Sequence, residues 1–426
     1  MDLRPVYSGR RVALVSGVLQ GKAGYAQALA ALGASKVLAI GAMGTGPLPE
    51  CERVVVEMPA QSPVAEFRAW ERLAASPTAE VASALDRFAP DLVLSNGFES
   101  FTTFAGRPVF GARRPEWTAL EDKTTVDALW DAAGVARAPS EVVPLGEAWA
   151  AHERLDRGQG TVWSGDNRSG WHGGGEYVRR VRSAEEASAV SAYLGGACDA
   201  VRVVPFLDGL PCSIHGFVTP TGVAALRPVE MVVLRSTEGF RYAGCATTWD
   251  PAPDDREAMR SVARRVGEHL AERVGYRGGF TIDGVMTADG FRPTELNPRL
   301  GAGVTYVALA APEVRIGLLH FALIEGAVHV DHEALERTIL PAADATRARM
   351  AHTFFTKPIT EEEVVHDGDV LYALGPGPTG GFLRVMTSTT PPDGRPFAPV
   401  AAAALAAADE RWSLGLGPLE PAPVLR

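Results

Sequence analysis

The chain has 426 residues, 46% of them hydrophobic and 22% charged, and its formal net charge is −10. That length supports several lobes around a large hydrophobic core, and the acidic balance argues against a nucleic-acid partner. Four scattered cysteines without a CxxC pair argue against a disulfide framework or a zinc cluster, and no apolar run approaches the roughly 20 residues of a membrane span, so the composition predicts a reduced, cytoplasmic protein with no membrane partner.

The first 115 residues alternate between strand-like and helix-like patterns. Strand patterns occupy 11–20, 36–41 and 91–97, and helical patterns lie around 23–34 and 64–88. This β-α-β alternation predicts a small doubly wound, Rossmann-like domain over 1–115. Gly17, Gly21 and Gly24 do not form GxGxxG, and GVLQGKA departs from the phosphate-loop pattern, so we predict a strand-to-helix turn there and no dinucleotide site.

The middle of the chain predicts a helix and then a glycine-rich loop. EDKTTVDALWDAAGV has helical apolar spacing and ends at Gly134. In 160–183 a Gly/Ser/Asn-rich loop lies between two strand-like runs. Gly173, Gly174 and Gly175 leave backbone N–H groups able to approach a phosphate, and a flexible hairpin tip is the alternative. Further helices are predicted at 184–195, 255–274, 312–326 and 398–412, with β structure at 201–218, at 227–249 and, as short strands, from about 340.

The strand patterns FTIDGVMT and FRPTELNPR are joined by Ala-Asp-Gly at 288–290, which predicts a β-hairpin. Because strand side chains alternate between faces, Glu295, Asn297 and Arg299 share one face, and Asp283 lies on one face of the partner strand. If these faces coincide, two carboxylates and an amide meet, and such oxygen ligands suit Mg²⁺ held together with phosphates. Arg299 would then meet a phosphoryl group or an oxyanion. An exposed edge strand with solvated charges is the alternative.

The pattern D-x₁₁-E-x-N-x-R with a glycine-rich turn resembles the metal-binding strand pair of the ATP-grasp superfamily. The resemblance implies an α/β (α+β) ATP-grasp fold over 116–335 with a lid subdomain near 137–205. The Rossmann-like lobe at 1–115 would be the pre-ATP-grasp domain, and 336–426 a small β-rich C-terminal domain. The cofactors implied are ATP and two Mg²⁺ ions.

The resemblance also implies roles for single residues. The metal ligands would be Asp283, Glu295 and Asn297. The DK segment makes Lys123 a contact of the nucleotide phosphates, and VVPFLDG resembles the adenine hinge. The implied ATP-binding residues are Lys123, Ser164, Gly173, Gly174, Gly175 and, through their backbone, Pro205, Phe206 and Leu207. The sequence departs from the family in two places: no lysine precedes the lid loop, for which Arg168, His172, Arg179 or Arg180 could substitute, and Val204 stands where the hinge usually has a glutamate.

The overall layout and the stretch LRPVEMVVLRSTEGFRYAGC most resemble the pheganomycin-type peptide ligases of actinobacteria, which act in secondary-metabolite biosynthesis. This implies a ligase that joins a small-molecule carboxylate to the amine of a peptide or amino acid through an acyl phosphate, releasing ADP and phosphate. Arg299 would stabilise the acyl phosphate. An arginine of the cleft strands, Arg235 or Arg241, would hold the donor carboxylate, and Glu230 an amine or guanidino group, with His215 also lining the cleft. Each could instead be an ordinary surface or core-edge residue. A homodimer is possible.

Two other functions stay open at this point. A nucleotide sensor with a degenerate site would bind ATP without consuming it, as the missing lid lysine allows. An ATP-grasp enzyme could also transfer its acyl group to an acceptor other than an amine, such as a thiol, bicarbonate or a tRNA-like partner, of which the acidic net charge disfavours the last.

Overall fold

The computed structural model describes residues 1–58, 62–173, 175–236, 239–388 and 394–422. Its N-terminal lobe is a parallel sheet of four strands in the order β3-β2-β1-β4, flanked by helices. The strands are Arg11–Leu14 (β1), Lys36–Gly41 (β2), Glu52–Val55 (β3) and Leu92–Leu94 (β4), and the helices are Arg4–Tyr7 (α1), Ala23–Ala31 (α2), Pro63–Ala75 (α3) and Ala79–Phe88 (α4). This is the doubly wound lobe that the β-α-β pattern predicts.

The predicted helix at 64–88 is two helices in the structure. The break lies at Ser76-Pro77-Thr78, where proline cannot continue the hydrogen-bond ladder of α3. The side chain of Thr78 then accepts the N–H of Val81 and caps the start of α4.

A connecting segment leads from this lobe to the lid. It contains the strands Thr103–Phe104 (β5) and Arg107–Pro108 (β6), the helix Pro115–Thr118 (α5), the 3₁₀ turn Ala119–Glu121 and the helix Val126–Ala132 (α6). The lid is an antiparallel sheet in the order β7-β10-β8-β9. It consists of Glu141–Pro144 (β7), Ala148–Leu155 (α7), Thr161–Gly165 (β8), Val178–Val181 (β9), Ala184–Gly195 (α8) and Ala200–Pro205 (β10). Its small core surrounds the fully buried Trp163.

The rest of the chain forms one ten-stranded, largely antiparallel sheet in the order β16-β15-β11-β13-β14-β17-β20-β19-β18, with β12 paired to β11. The strands are Leu210–Thr219 (β11), Gly222–Ala225 (β12), Val229–Ser236 (β13), Gly239–Ala246 (β14), Gly278–Thr287 (β15), Gly290–Asn297 (β16), Arg349–Phe355 (β17), Glu363–Asp367 (β18), Val370–Gly377 (β19) and Gly380–Thr387 (β20). The helices are Pro253–Val274 (α9), Val304–Ala308 (α10), Ile316–Ile324 (α11), His332–Ala345 (α12) and Ala398–Trp412 (α13). None of the described helices is long and apolar enough to cross a membrane.

The sheet runs without interruption from the predicted ATP-grasp segment into the C-terminal strands, because β14 pairs with β17. The expected boundary at residue 336 therefore falls inside α12 and not at a break in the sheet. Helix α13 covers one face of β13, β14, β17 and β20 through a shared apolar cluster. The N-terminal lobe is also joined to this unit, since the Tyr7 hydroxyl donates to the Leu318 carbonyl of α11 at 2.7 Å.

Candidate functional site

The predicted hairpin brings its polar residues together. Strands β15 and β16 pair in antiparallel register, with Asp283 directly opposite Glu295 and Thr281 opposite Asn297. The Asn297 amide donates to Asp283 Oδ2 at 2.9 Å, and the hydroxyl of Ser213, on neighbouring β11, donates to Asp283 Oδ1 at 2.5 Å. The register shifts between Asp283 and Gly284, so an irregularity in the strand pairing lies next to the acid pair. The two faces therefore coincide, as the hairpin hypothesis requires.

The acid pair has the chemistry of a cation site. Burial, and after it the charge of Glu295, raises the pKa of Asp283 to about 7. Two neighbouring carboxylates with an amide oxygen beside them are suited to Mg²⁺ that is shared with phosphate oxygens. Within the described residues no group of three or more His, Cys, Asp or Glu side chains could hold a metal ion. This donor set fits an ion that the nucleotide helps to bind better than one in a closed protein cage.

Lys123 lies beside the acid pair. Its ammonium group is 3.1 Å from Glu295 Oε1, and the residue is only 5% exposed. The adjacent Asp122 accepts the backbone N–H of Thr124 at 2.8 Å and that of Asn167, in the lid loop, at 3.2 Å. The loop that carries Lys123 is thus fixed to the lid, and its buried positive charge lies beside the acid pair.

Arg299 is held by a buried carboxylate that the sequence did not single out. It donates to Asn297 Oδ1 at 2.6 Å, and its Nε lies 3.3 Å from Glu121 Oε1. Glu121 also accepts from the Arg113 guanidinium and from the Trp171 indole N–H. Burial acts to raise the pKa of Glu121, but Arg113 and Arg299 outweigh it, so the net pKa lies below its usual value. Glu121 is therefore an ionised anchor for two guanidinium groups.

The lid loop contacts both Arg299 and the N-terminal lobe through aromatic rings. The Arg299 guanidinium lies 4.7 Å from the Phe98 ring centre and 5.6 Å from that of Trp171. Trp171 meets Phe67 of α3 edge-on at 5.1 Å. Because these groups lie on segments far apart in the chain, pattern analysis had no local signal for them. The only hint was the position of Glu121, two residues before Lys123.

The predicted lid residues are placed as follows. Ser164 lies on β8, is 7% exposed and is in register with Arg202 of β10. Gly173 and Gly175 lie in the loop between β8 and β9, and Gly175 has a positive φ of 78°, which favours glycine. Gly174 lies outside the described residues.

None of the four substitutes named for the missing lysine is a free cation in the described lid. Arg168 pairs with Asp199, and the Arg179 guanidinium lies 4.3 Å from the Tyr193 ring centre. The Arg180 guanidinium lies 3.6 Å from the ring centre of hinge residue Phe206. His172 is the candidate near the acid pair, but burial, and then the charge of Lys123, lowers its pKa to about 4, so it is neutral.

The structure corrects the predicted adenine hinge in part. The Phe206 N–H donates to the Gly160 carbonyl at 2.9 Å, so it is not free for a base. Pro205 has no N–H to donate. A base at this hinge would have to use backbone carbonyls and the N–H of Leu207.

The structure contradicts the predicted role of Glu230. This carboxylate is fully buried and accepts the N–H groups of Phe397 at 2.6 Å and Ala398 at 2.8 Å, at the start of α13. Alternation along β13 puts Glu230 on the face that packs against α13, away from the acid pair. It caps a helix, as carboxylates at helix N-termini do, and cannot bind a substrate amine there.

The two cleft arginines of β13 and β14 are also engaged elsewhere. Arg235 donates to the Pro421 carbonyl at 3.2 Å and lies 3.7 Å from the Glu420 carboxylate, so it holds the C-terminal segment instead of a free donor carboxylate. Arg241 donates to the Thr353 hydroxyl at 3.1 Å, on the α13 side of the sheet. His215 is buried and its Nδ1 lies 2.9 Å from the Thr281 hydroxyl.

No family model and no curated protein matches this chain. Solved structures match over nearly its whole length. Phosphoribosylamine–glycine ligase from Thermotoga maritima has a TM-score of 0.58 at 16% identity, with 93% of this chain and 96% of that one covered. L-amino acid ligase from Bacillus licheniformis has a TM-score of 0.54 at 14% identity, with 98% and 99% covered. The biotin carboxylase domain of 2-oxoglutarate carboxylase from Hydrogenobacter thermophilus, solved with ADP, its magnesium salt and bicarbonate, has a TM-score of 0.58 at 13% identity, with 98% and 91% covered.

These likenesses confirm the predicted fold class: the chain has the ATP-grasp fold, with a parallel N-terminal sheet, a lid and a large antiparallel sheet. At such low identity they concern the fold alone.

Proposed function

We propose that this protein is an ATP-dependent carboxylate–amine ligase that forms ADP and phosphate. The observation that carries the proposal is the convergence of Asp283, Glu295 and Asn297 on one sheet face, with Lys123 and Arg299 beside them. This set is the one that the D-x₁₁-E-x-N-x-R pattern implies. Two proteins with the same fold are ligases by name, one for phosphoribosylamine and glycine and one for L-amino acids.

The proposed ligase reaction accounts for the acidic and basic side chains that meet at this site. A carboxylate is a poor electrophile, and transfer of the γ-phosphoryl group of ATP gives an acyl phosphate with a good leaving group. The amine attacks the acyl carbon, phosphate leaves from the tetrahedral intermediate and the amine proton is lost to solvent. Lys123 would bind phosphate oxygens, and Arg299 would stabilise the acyl phosphate and the oxyanion. Mg²⁺, two ions in our proposal, would neutralise the triphosphate charge when bound to Asp283, Glu295 and Asn297.

The geometry around Arg299 favours catalysis over simple binding. Glu121 and the rings of Phe98 and Trp171 hold its guanidinium in one orientation before any substrate arrives. A preorganised donor costs no reorganisation when charge develops in the transition state.

The alternative is a nucleotide sensor, and one observation favours it: the described lid presents no free cation to the acid pair. Such a protein would bind ATP with Mg²⁺ and release no ADP with any substrate. Retention of all four hairpin residues argues for the ligase.

The test is nucleotide product analysis. The protein would be incubated with Mg²⁺, ATP, pooled amino acids and short peptides, beside Glu295→Gln and the control Glu333→Gln, which neutralises a carboxylate that is 69% exposed on α12. We expect ADP and phosphate that depend on the pool, are lost in Glu295→Gln and persist in Glu333→Gln. AMP and pyrophosphate would show adenylation instead, and ATP binding without turnover would favour the sensor.

A further inference from the structure

The sheet face that carries Asp283 continues past the acid pair into the C-terminal strands. Ser213 of β11 bonds Asp283 and so lies on this face, whereas the adjacent Cys212 pairs with Glu230, which faces α13. The same alternation holds on β17 and β20, where Ala351, Phe355, Leu383 and Val385 pack under α13. The residues that alternate with these on each strand therefore point to the side of the acid pair. They are His352, Phe354, Phe382 and Arg384.

These residues form a continuous surface, which we call the aromatic floor: Tyr242, His352, Phe354, Phe382 and Arg384. The Tyr242 and His352 rings are 5.5 Å apart, His352 and Phe382 5.8 Å, and Phe354 and Phe382 5.0 Å. Phe354 is 37% exposed, although it is a large apolar side chain. Aromatic rings that stay partly open to solvent beside a polar site are typical of a ligand surface.

Arg384 is the charged member of the floor, and among the described residues its guanidinium contacts the Phe382 ring, 5.8 Å from the ring centre, but pairs with no anion. In the described part of the chain no carboxylate lies within ion-pair distance of it, and its Nε is buried without an acceptor. Arg235 also has a buried Nε without an acceptor, but the terminal nitrogens of Arg235 and Arg241 donate to protein oxygens. A half-buried guanidinium without an anion is costly, and its planar donors match a carboxylate in bidentate geometry.

The floor adjoins the catalytic residues. Burial raises the pKa of Tyr242, and Asp283 is near enough to add to that rise. Burial also raises the pKa of Tyr306, on α10 just after the glycine turn that follows Arg299, and the charge of Arg384 opposes that rise. From β15 to β20 there are five strand-to-strand steps. At about 4.8 Å per step the path along the sheet is about 24 Å, which an extended chain of about seven residues would span.

We propose that Arg384 binds the C-terminal carboxylate of a peptide acceptor that lies across the aromatic floor with its amine at the acid pair. This inference rests on the proposed ligase function and makes its acceptor a short peptide with a free C-terminus. A single amino acid is too short to reach both ends, and peptides much longer than about seven residues would have to bulge from the floor.

The test measures binding, so that it does not depend on turnover. Randomised peptide pools of two to eight residues, each as free acid and as C-terminal amide, would be offered with Mg²⁺ and a non-hydrolysable ATP analogue, and bound peptides identified by mass spectrometry. We expect the acids to be enriched about 10- to 100-fold over the amides, as a charged hydrogen bond implies. That preference should vanish in Arg384→Gln and return in part in Arg384→Lys. It should persist in the control Arg411→Gln, which changes an exposed arginine of α13.

Equal binding of acids and amides to the unmodified protein, a preference that survives Arg384→Gln, or no bound peptide at all would each overturn the inference. Because the first comparison uses the unmodified protein, an unfolded variant would not prevent a decision. The ligase proposal is tested separately, with ATP in place of the analogue. Acids that bind without ADP formation would refute turnover alone. ADP formation at equal rates from acids and amides would refute the role of Arg384 alone.

Discussion

Replacement of Glu121 by glutamine tests how Arg299 is held. The substitution keeps the shape of the side chain and removes the charge that faces two buried guanidinium groups. At the observed 3.3 Å from Arg299 Nε to Glu121 Oε1, the Coulomb attraction is about 5 kcal/mol at an effective dielectric constant of about 20. Desolvation offsets part of that, but loss of one partner from a buried ion network costs about 3–5 kcal/mol. We expect the free energy of unfolding to fall by about 3–5 kcal/mol. We also expect kcat/KM to fall at least about tenfold, because Arg299 loses its orientation.

The assay is urea unfolding followed together with ADP release, for Glu121→Gln and for Glu116→Gln, an exposed glutamate of the same segment. The double variant Arg113→Met/Glu121→Gln should recover part of the stability, because one of the two uncompensated cations is then gone. If Glu121→Gln unfolds within about 0.5 kcal/mol of Glu116→Gln, the ion network does not hold Arg299 and the reasoning is refuted.

Three more predictions concern buried groups outside that network. Lys123→Met should raise the KM for ATP about 10- to 100-fold, because a charged hydrogen bond to phosphate is lost. An unchanged KM would show that Lys123 does not bind the nucleotide. Glu230→Ala should leave two N–H groups at the start of α13 without acceptors and lower the free energy of unfolding by about 2–5 kcal/mol. Amide hydrogen exchange at the first turn of α13 should become faster, and unaltered exchange would contradict the capping role. His320 accepts the Gly279 N–H at 2.9 Å, and burial lowers its pKa from 6.5 to about 3. The unfolded state therefore binds the extra proton first, so stability falls as the pH drops below 6.5. The difference between pH 7.5 and pH 5 is about 2 kcal/mol, which His320→Gln should remove from the urea-derived pH profile; identical profiles would show that His320 is not buried as a neutral ring.

The sequence predicted what depends on local patterns. The hairpin that carries Asp283 and Glu295 spans few residues, and alternation with a strong turn signal is enough to bring the two acids to one face. Three strands of the N-terminal sheet follow in the same way from their alternating pattern, whereas β3 was not predicted. The break between α3 and α4 was also encoded locally, in Pro77 and the capping residue Thr78, but the apolar spacing on both sides hid it.

Contacts between distant segments were not predictable. Alternation on β13 shows that Glu230 and Arg235 lie on opposite faces, but it does not show which face α13 will cover. Glu121 and Arg299 are far apart in the chain, and no periodicity joins them. The engagement of the Phe206 N–H was unpredictable for a related reason, because the approach of its acceptor Gly160 depends on the lid fold.

The continuous sheet has a consequence for how the chain is made. Strand β14 has no neighbour on its outer side until β17 is synthesised, about a hundred residues later, and Glu230 has no donors until Phe397 and Ala398 appear. A chain that ends before β17 leaves the edge of β14 unpaired, and one that ends before α13 leaves an uncovered apolar face and a Glu230 carboxylate without its two N–H donors. Unpaired strand edges of this kind recruit other chains. Formation of the C-terminal lobe thus completes folding. Chains shortened there should aggregate instead of yielding a smaller functional protein.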